Sequence, residues 1–275
     1  MDPQETFPAH DDCPLIGPGD PEPVSIINEG GAAKLLLVGD HVSNRIPAAL
    51  DGLGLEASIL DEHVAYDVGT RKLISHLSQH LDAPAVLAGY SRLVVDLNRG
   101  LEDPSLIPEV SDGIPIPGNQ GLSREDRALR IHCFYRPYRV AIERMLQRIR
   151  ARGVIPAFIS IHSFTPQLAA EGRLRPWQIG LMWDKDPRIP APLFERLRAH
   201  PENINVGDNE PYSGRHAADY TIDHHAEAAG LPHVSIETRQ DLVNTEEGAE
   251  YWANILDEAL CDILAEPGLY RLWEG

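Results

Sequence analysis

The sequence predicts an α/β fold with three layers, in which helices cover both faces of a mostly parallel or mixed central sheet. Short apolar runs typical of buried strands alternate along the chain with longer segments of helical periodicity. No internal repeat and no shift in composition divides the 275 residues. We therefore expect one hydrolase-like domain over 25–275, preceded by an extended, Pro- and Asp-rich arm over 1–24.

Each predicted strand is a short apolar run that ends at Gly, Asp, His or another turn residue. Each predicted helix carries apolar residues at a spacing of three and four. Ser123 is the expected N-cap of the longest helix, and Pro137 is expected to bend or break it. The predicted strands are 35–38, 85–87, 93–97, 157–161, 178–183, 204–207 and 234–237, and the predicted helices are 70–81, 123–152, 221–229 and 245–265.

Two loops stand out between these elements. The stretch 104–121 is rich in Pro and Gly and is too long for a simple connection, so we interpret it as a functional loop or lid beside the site. The segment around Asn209, Tyr212, Ser213 and Gly214 is a second polar loop, which we expect to shape a substrate pocket.

The composition restricts the partners. A formal net charge of −18, with no conspicuous basic patch, argues against nucleic acid, and no run approaches the length of a membrane span. Cys13, Cys133 and Cys261 are odd in number and scattered, which indicates neither a disulfide framework nor a cysteine metal site. The expected setting is the reducing cytoplasm, with a small molecule as the partner.

Two histidines at predicted strand ends suggest a zinc site. His41 follows the strand 35–38, and His162 ends the apolar run 157–161. An isolated histidine at such a turn more often braces it, but two at one sheet edge are a better metal hypothesis. A catalytic site needs a third ligand, and we assign it to Asp67, whose alternative role is a helix N-cap. Asn44 and Glu62 remain alternatives, with Asn44 favoured as a residue that orients the site.

The remaining candidates would bind and cleave a substrate. Glu237 ends the strand 234–237 and could act as general base and acid, the alternative being a salt bridge to Arg239 or another arginine. Arg92 could stabilise an oxyanion. Asn98 and Arg99 could hold a carboxylate, the alternative being a surface pair of Arg99 with Asp96, and Ser163 is assigned to substrate binding beside His162.

Three motifs occur in the order found in zinc carboxypeptidases. They are Val95-Asp96-Leu97-Asn98-Arg99, Ser160-Ile161-His162-Ser163-Phe164 and Ile236-Glu237-Thr238-Arg239. The chain resembles the N-formylglutamate amidohydrolase family still more closely, from about residue 35 to 243, with Tyr90-Ser91-Arg92 and Gly230-Leu231-Pro232-His233 as further matches. The segment His41-Val42-Ser43-Asn44 departs from the Pro-His-Ser-Gly form associated with the deformylase.

The resemblance implies a phosphorylase/hydrolase-like fold and a zinc-dependent (or other divalent-metal) amidohydrolase. It also implies hydrolysis of N-formyl-L-glutamate to formate and glutamate, a late step of histidine degradation. One alternative is a carboxypeptidase-like or other acylamino-acid hydrolase. Another is an inactive carboxylate-binding protein that lost its metal because Asn44 replaced a ligand. All of these hypotheses require a substrate or ligand with a free carboxylate.

Overall fold

A seven-stranded mixed sheet forms the centre of the protein in the computed structural model, which describes residues 13–168, 172, 174–215 and 219–275. Two further short strands, β4 and β5, pair as a separate hairpin. The strands are β1 (Val24–Ile27), β2 (Leu35–Gly39), β3 (Ala85–Ala88), β4 (Val110–Ser111), β5 (Ile114–Pro115), β6 (Ala157–Phe164), β7 (Ile179–Met182), β8 (Val206–Asp208) and β9 (His233–Arg239).

The order across the sheet is β1-β3-β2-β6-β9-β7-β8. The four central strands β3, β2, β6 and β9 are parallel, whereas β1 pairs antiparallel with β3 and β7 pairs antiparallel with β9. Every residue of β2, β3 and β6 is buried, as expected for parallel strands covered on both faces. The carboxyl ends of the four parallel strands therefore lie at one edge of the sheet, where open α/β sheets bind ligands.

Helices cover both faces and complete the three layers. On one face α2, α5 and α7 pack together, and on the other α4 packs across β1, β2 and β3, with α6 against β6 and β9. The α-helices are α1 (Ala57–Leu60), α2 (Thr70–His80), α3 (Arg124–Arg130), α4 (Arg136–Arg150), α5 (Pro190–Arg198), α6 (Tyr220–Ile222) and α7 (Glu246–Ala265); π-helical turns span Ile131–Tyr135 and Asp223–Glu227; 3₁₀ segments span Ala48–Gly54, Pro117–Asn119, Gln240–Leu242 and Pro267–Leu269.

Most predicted elements are present, and the long helix behaves as expected at its start. The side chain of Ser123 accepts a hydrogen bond from the Asp126 amide and caps α3. The predicted interruption lies at the π-helical turn Ile131–Tyr135, just before Pro137. Proline has no N–H to continue the α-helical bonding pattern, so a wider turn at this place is physically reasonable.

The predicted strand over 93–97 is wrong. This apolar segment is buried but folds as consecutive turns, in which the Val94 amide bonds to the Ser91 carbonyl and the Asp96 amide to the Leu106 carbonyl. Both edges of β3 are already paired, with β1 and with β2, so a strand that follows it directly has no free edge. The apolar side chains enter the core from a loop instead.

The N-terminal arm is partly described. Residues 1–12 of the predicted arm lie outside the described residues, and 13–23 run over the surface beside β3, where the Tyr90 hydroxyl bonds to the Pro21 carbonyl. The arm is covalently attached, because Cys13 forms a disulfide with Cys133. The cysteine spacing did not predict this bond, since the two residues are 120 positions apart and only the fold brings them together.

The long 104–121 segment has structure of its own. It contains the β4–β5 hairpin and buries Ile116, which packs in a small apolar cluster with Leu53 and Leu93. Its action as a lid stays a prediction. Within the described part of the chain, no helix is long and apolar enough to cross a membrane.

Candidate active site

The carboxyl ends of the central strands bring the predicted residues together. His41 follows β2, the segment with Arg92 and Asn98 follows β3, and His162 and Glu237 lie late in β6 and β9. His162 and Glu237 are direct partners in the β6–β9 register. The sheet thus collects side chains that are up to about 200 positions apart in sequence, as ligand sites of open α/β sheets commonly do.

His41, Asp67 and His162 form a compact buried group whose ligand atoms all lie within 4.8 Å of one another. Asp67 Oδ2 is 2.8 Å from His162 Nδ1 and 3.6 Å from His41 Nδ1. The Asp67 amide also bonds to the His41 carbonyl at 2.8 Å, which fixes the two segments side by side. Asp67 does not cap α2, since Gly69 occupies the N-cap position.

The alternative third ligands lie elsewhere. Asn44 is half-buried and its amide donates to Asp61 at 3.0 Å, while Glu62 is exposed. Neither belongs to the buried group. The expectation that Asn44 orients the site is therefore not met, because its side chain is directed to a surface carboxylate.

Two other carboxylates orient the histidines. His41 Nε2 donates to Asp96 Oδ1 at 2.7 Å, which leaves Nδ1 facing Asp67. His162 Nε2 lies 2.9 Å from Ser160 Oγ and 3.5 Å from Asp40 Oδ2, which leaves its Nδ1 facing Asp67 as well. A carboxylate on the far nitrogen is the arrangement that fixes the tautomer of metal-binding histidines.

The buried charges favour a cation at this place. Burial opposes ionisation of Asp96, but Arg92 and His41 outweigh it and hold the pKa of this carboxyl well below its usual range. Burial also lowers the pKa of His162, but hydrogen bonds to Asp40 and Asp67 more than offset this and raise the pKa well above 6.5. The surrounding carboxylates thus stabilise positive charge on the imidazole rings, and they would stabilise a divalent metal ion at the same place in the same way.

The donor set fits a divalent transition metal. His41 Nδ1 is buried and makes no hydrogen bond to any described residue, so the neutral ring, which keeps its proton on Nε2 towards Asp96, can offer the Nδ1 lone pair to a metal. Two imidazole nitrogens and one carboxylate oxygen are ligands that zinc takes in catalytic sites, where a fourth position stays open. The residues that would hold the ion are therefore His41, Asp67 and His162.

Glu237 is buried beside this group. Burial raises the pKa of its carboxyl to about 8, and Asp67 adds to the effect while His162 opposes it. Its Oε2 has no hydrogen-bond partner among the described residues. The alternative salt bridge between Glu237 and Arg239 is not formed, because Arg239 pairs with Asp241 at 2.7 Å. A buried carboxyl with one oxygen that bonds to no described residue, next to a candidate metal group, is typical of an acid–base residue.

Arg92 lies in the site but is held by a carboxylate. Its Nε and Nη2 donate to Asp96 Oδ2 at 3.1 and 2.7 Å, and Nη1 is 3.7 Å from Asp67 Oδ1. The Arg92 side chain as a whole retains 25% exposure. Its contact with Asp96 was not predicted, and the alternative ion pair of Arg99 with Asp96 is not formed.

Asn98 and Arg99, which are predicted to hold a substrate carboxylate, make hydrogen bonds within the protein. Asn98 Oδ1 accepts from the Thr221 amide at 2.8 Å and so holds the start of α6. Arg99 is half-buried, donates to Ser105 Oγ at 3.2 Å and bonds to the Asn98 carbonyl. Ser163 donates to the Val68 carbonyl at 2.8 Å, beside Asp67.

Sequence reasoning missed Asp40 and Asp96 as partners of the histidines. Asp40 directly precedes His41 and Asp96 is part of the quoted Val95–Arg99 motif, so both were visible at predicted strand ends. Their roles depend on contacts between different loops, which a single sequence does not reveal. The only available signal was an acidic residue beside each candidate ligand segment.

Comparisons with known proteins place the chain in a family. A family model described as N-formylglutamate amidohydrolase matches residues 33–244. The crystal structure of a gene product from Agrobacterium tumefaciens is similar with a TM-score of 0.87 and 31% identity, covering 91% of this chain and 98% of that one. An N-formylglutamate amidohydrolase from Ralstonia eutropha JMP134 shares the fold, with a TM-score of 0.66 and 20% identity over 89% of this chain and 98% of that one. A search of curated proteins gave no match. The match over residues 33–244 shows that the chain belongs to the N-formylglutamate amidohydrolase family.

Proposed function

We propose that the protein is a metal-dependent amidohydrolase that cleaves the amide of an N-acyl, specifically N-formyl, acidic amino acid such as N-formyl-L-glutamate. The observation that carries the proposal is the buried group His41, Asp67 and His162 with the Glu237 carboxyl beside it, whose Oε2 bonds to no described residue. Zinc is the proposed metal, because the donor set matches its preference for imidazole and carboxylate.

In this proposal Glu237 transfers protons and Arg92 stabilises negative charge. When bound, a divalent cation supplies Lewis acidity that polarises a carbonyl and activates water. Glu237 takes the proton of the attacking water and delivers it to the leaving nitrogen, which is the role that a buried carboxyl with a free oxygen can perform. The Arg92 guanidinium donates to the oxygen on which negative charge develops.

Asn98 and Arg99 are the proposed anchor of the substrate's α-carboxylate, and Ser163 is a further proposed substrate-binding residue. Asn98 and Arg99 follow β3, in the segment that also carries Arg92, so the anchor and the charge-stabilising group belong to one loop. A guanidinium and an amide suit a planar carboxylate. The proposed partner is accordingly a small molecule with a free carboxylate, and the proposed setting is cytoplasmic histidine degradation.

The inactive-protein alternative loses its main support. It rested on Asn44 having replaced a metal ligand, but the buried group contains three ligands without Asn44. A carboxypeptidase-like or other acylamino-acid hydrolase remains the competing proposal. A panel of formyl-, acetyl- and peptidyl-amino acids would distinguish it by the acyl group that is released fastest.

The test is formate release from N-formyl-L-glutamate by the zinc-loaded protein, by the chelated protein and by Glu237→Gln. We expect loss of activity on chelation, recovery with zinc, and a fall of at least about 100-fold for Glu237→Gln, since general acid–base catalysis contributes about 10²–10⁴-fold. Glu246→Gln, which changes an exposed carboxylate paired with His76, is the matched control. Full activity after chelation, or in a folded Glu237→Gln variant, would refute the mechanism.

A further inference from the structure

The loop that carries Tyr212 is seated next to Glu237. Gly180 of β7 is the register partner of Glu237, and a Cβ on Gly180 would lie 2.1 Å from the Glu210 carbonyl oxygen. Because Gly180 has no side chain, the backbone of the 208–214 loop can pack directly against β7 at this position. Asn209 Oδ1 fastens the loop by accepting from the Trp183 and Gly214 amides at 3.1 and 2.9 Å.

The phenol of Tyr212 has a defined orientation. Arg175 Nη1 donates to the Tyr212 hydroxyl at 3.0 Å, and its guanidinium lies 4.9 Å from the centre of the Tyr212 ring. Because a guanidinium has no acceptor, the phenol oxygen accepts here, and its own proton is directed elsewhere. Arg175 is itself buried, with 3% exposure. Its Nη1 also donates to the carbonyl of Thr165, the residue that follows β6.

The electrostatic surroundings agree with a position inside the site. Burial raises the pKa of the Tyr212 phenol, the Glu237 carboxylate raises it further, and Arg175 and Arg92 oppose these effects. Such influences act only between groups that are close together. Tyr212 nevertheless keeps 39% exposure, so a small molecule can reach it.

We infer that Tyr212 is a specificity-determining residue whose hydroxyl donates a hydrogen bond to the side-chain carboxylate of the substrate. A phenol donor backed by the positive charge of Arg175 is an environment that suits an anionic oxygen. Asn98 and Arg99 belong to a different segment, which follows β3, and are left for the α-carboxylate. This inference rests on the proposed function, because it requires an acidic acylamino acid as the substrate.

The test compares Tyr212→Phe on two substrates that differ only in the side-chain carboxylate, N-formyl-L-glutamate and N-formyl-L-norvaline. The variant keeps the ring on Arg175 and removes only the hydroxyl. A hydrogen bond to a charged group corresponds to about a 10- to 100-fold effect, so we expect that loss in kcat/KM for formylglutamate, mainly through KM. The norvaline substrate should change less than about twofold, the range of an unperturbed surface substitution.

The outcomes separate this inference from the proposed function. Equal losses on both substrates would mean that Tyr212 supports the fold or contacts the reacting amide, and no loss on either would mean that it does not touch the substrate. Both results overturn the inference. A wild-type protein that hydrolyses neither substrate would instead refute the proposed function. Tyr251→Phe, on the exposed side of α7, is the control and should leave both substrates unchanged.

Discussion

Asp96 connects the candidate metal ligand His41 to the partly buried Arg92, and its substitution by asparagine gives a sharp prediction. Its Oδ1 accepts from His41 Nε2 at 2.7 Å and from the Asn98 amide at 2.9 Å, and its Oδ2 accepts twice from Arg92. All of these partners are donors. The NH₂ group of asparagine must therefore face a donor on one side or the other, and the negative charge that balances Arg92 is lost.

The magnitude follows from these contacts. Asp96→Asn loses the bonds on one side of the carboxylate and leaves the partly buried Arg92 guanidinium with only the more distant Asp67 as a charge partner, which costs about 3–5 kcal/mol of unfolding free energy. For a chain of this size about 2 °C of melting temperature corresponds to 1 kcal/mol, so Tm should fall by at least roughly 6 °C. The freed His41 ring should also lower zinc affinity by about 10–100-fold.

Two measurements on purified protein check this prediction. Thermal unfolding of the chelated protein reports the stability loss, and competition with a chromophoric chelator reports the zinc affinity. Asp262→Asn is the matched control, because it removes an exposed carboxylate paired with Arg196 at 2.9 Å and should cost less than about 1 kcal/mol. Unchanged zinc affinity in folded Asp96→Asn would refute the assignment of His41 as an oriented ligand.

Three further predictions concern other parts of the fold. Reduction of Cys13–Cys133 should lower the unfolding free energy by about 2–4 kcal/mol, because the bond closes a long loop in the unfolded chain. Burial and the neighbouring carboxylates raise the pKa of Asp223 from 3.8 to about 7, so the folded protein holds this proton between those pH values while the unfolded chain releases it. Stability from this group is thus present below pH 3.8 and lost as pH rises towards 7, and Asp223→Asn should raise Tm at pH 8. Gly180→Ala should destabilise the protein by about 1–3 kcal/mol and impair activity, because the new methyl group meets the Glu210 carbonyl.

Each of these predictions has its own control. Cys261→Ser removes the free, exposed cysteine and should leave both Tm and its response to reductant unchanged. The Asp223→Asn gain in Tm should shrink as pH falls from 8 to 4, and a gain that is constant over this range would contradict the linkage argument. Gly30→Ala adds a methyl group where nothing lies within 4 Å, so an equal loss in both glycine variants would show that the close approach at Gly180 is not the cause.

The fold was predictable where local pattern and tertiary context agree. β2 and β6 are continuous apolar runs that the central parallel positions bury completely, and their strands were predicted correctly. The run 93–97 has the same local pattern but follows a strand whose two edges are paired, so topology overrides propensity. β1 was missed for the converse reason, since Val24–Ile27 is half-buried at the sheet edge and its pattern is weak.

The site was predictable at the level of residue types at strand ends. His41, His162 and Glu237 could be selected because a polar residue that ends an apolar run must emerge at the carboxyl edge of the sheet. Asp67 was harder, because it lies in a loop and reaches the group through its backbone bond to His41. A shift of about 1 Å between two loops would change which carboxylate bonds to which ring nitrogen. The spacing of residues along the sequence cannot predict positions to that precision.

The network around Asp96 predicts that metal binding and substrate binding are coupled in this protein. The segment after β3 supplies Asp96 to His41 and carries Arg92 and Asn98, so one loop contacts both the candidate ligand group and the proposed anchor. Asn98 in turn holds the start of α6, where Thr221 bonds to Asp40, the partner of His162. A displacement of this loop would therefore alter the orientation of both histidines together with the anchor. Zinc affinity and KM should accordingly change together in variants of Asp96, whereas in Tyr212→Phe, which lies outside this network, KM should change alone.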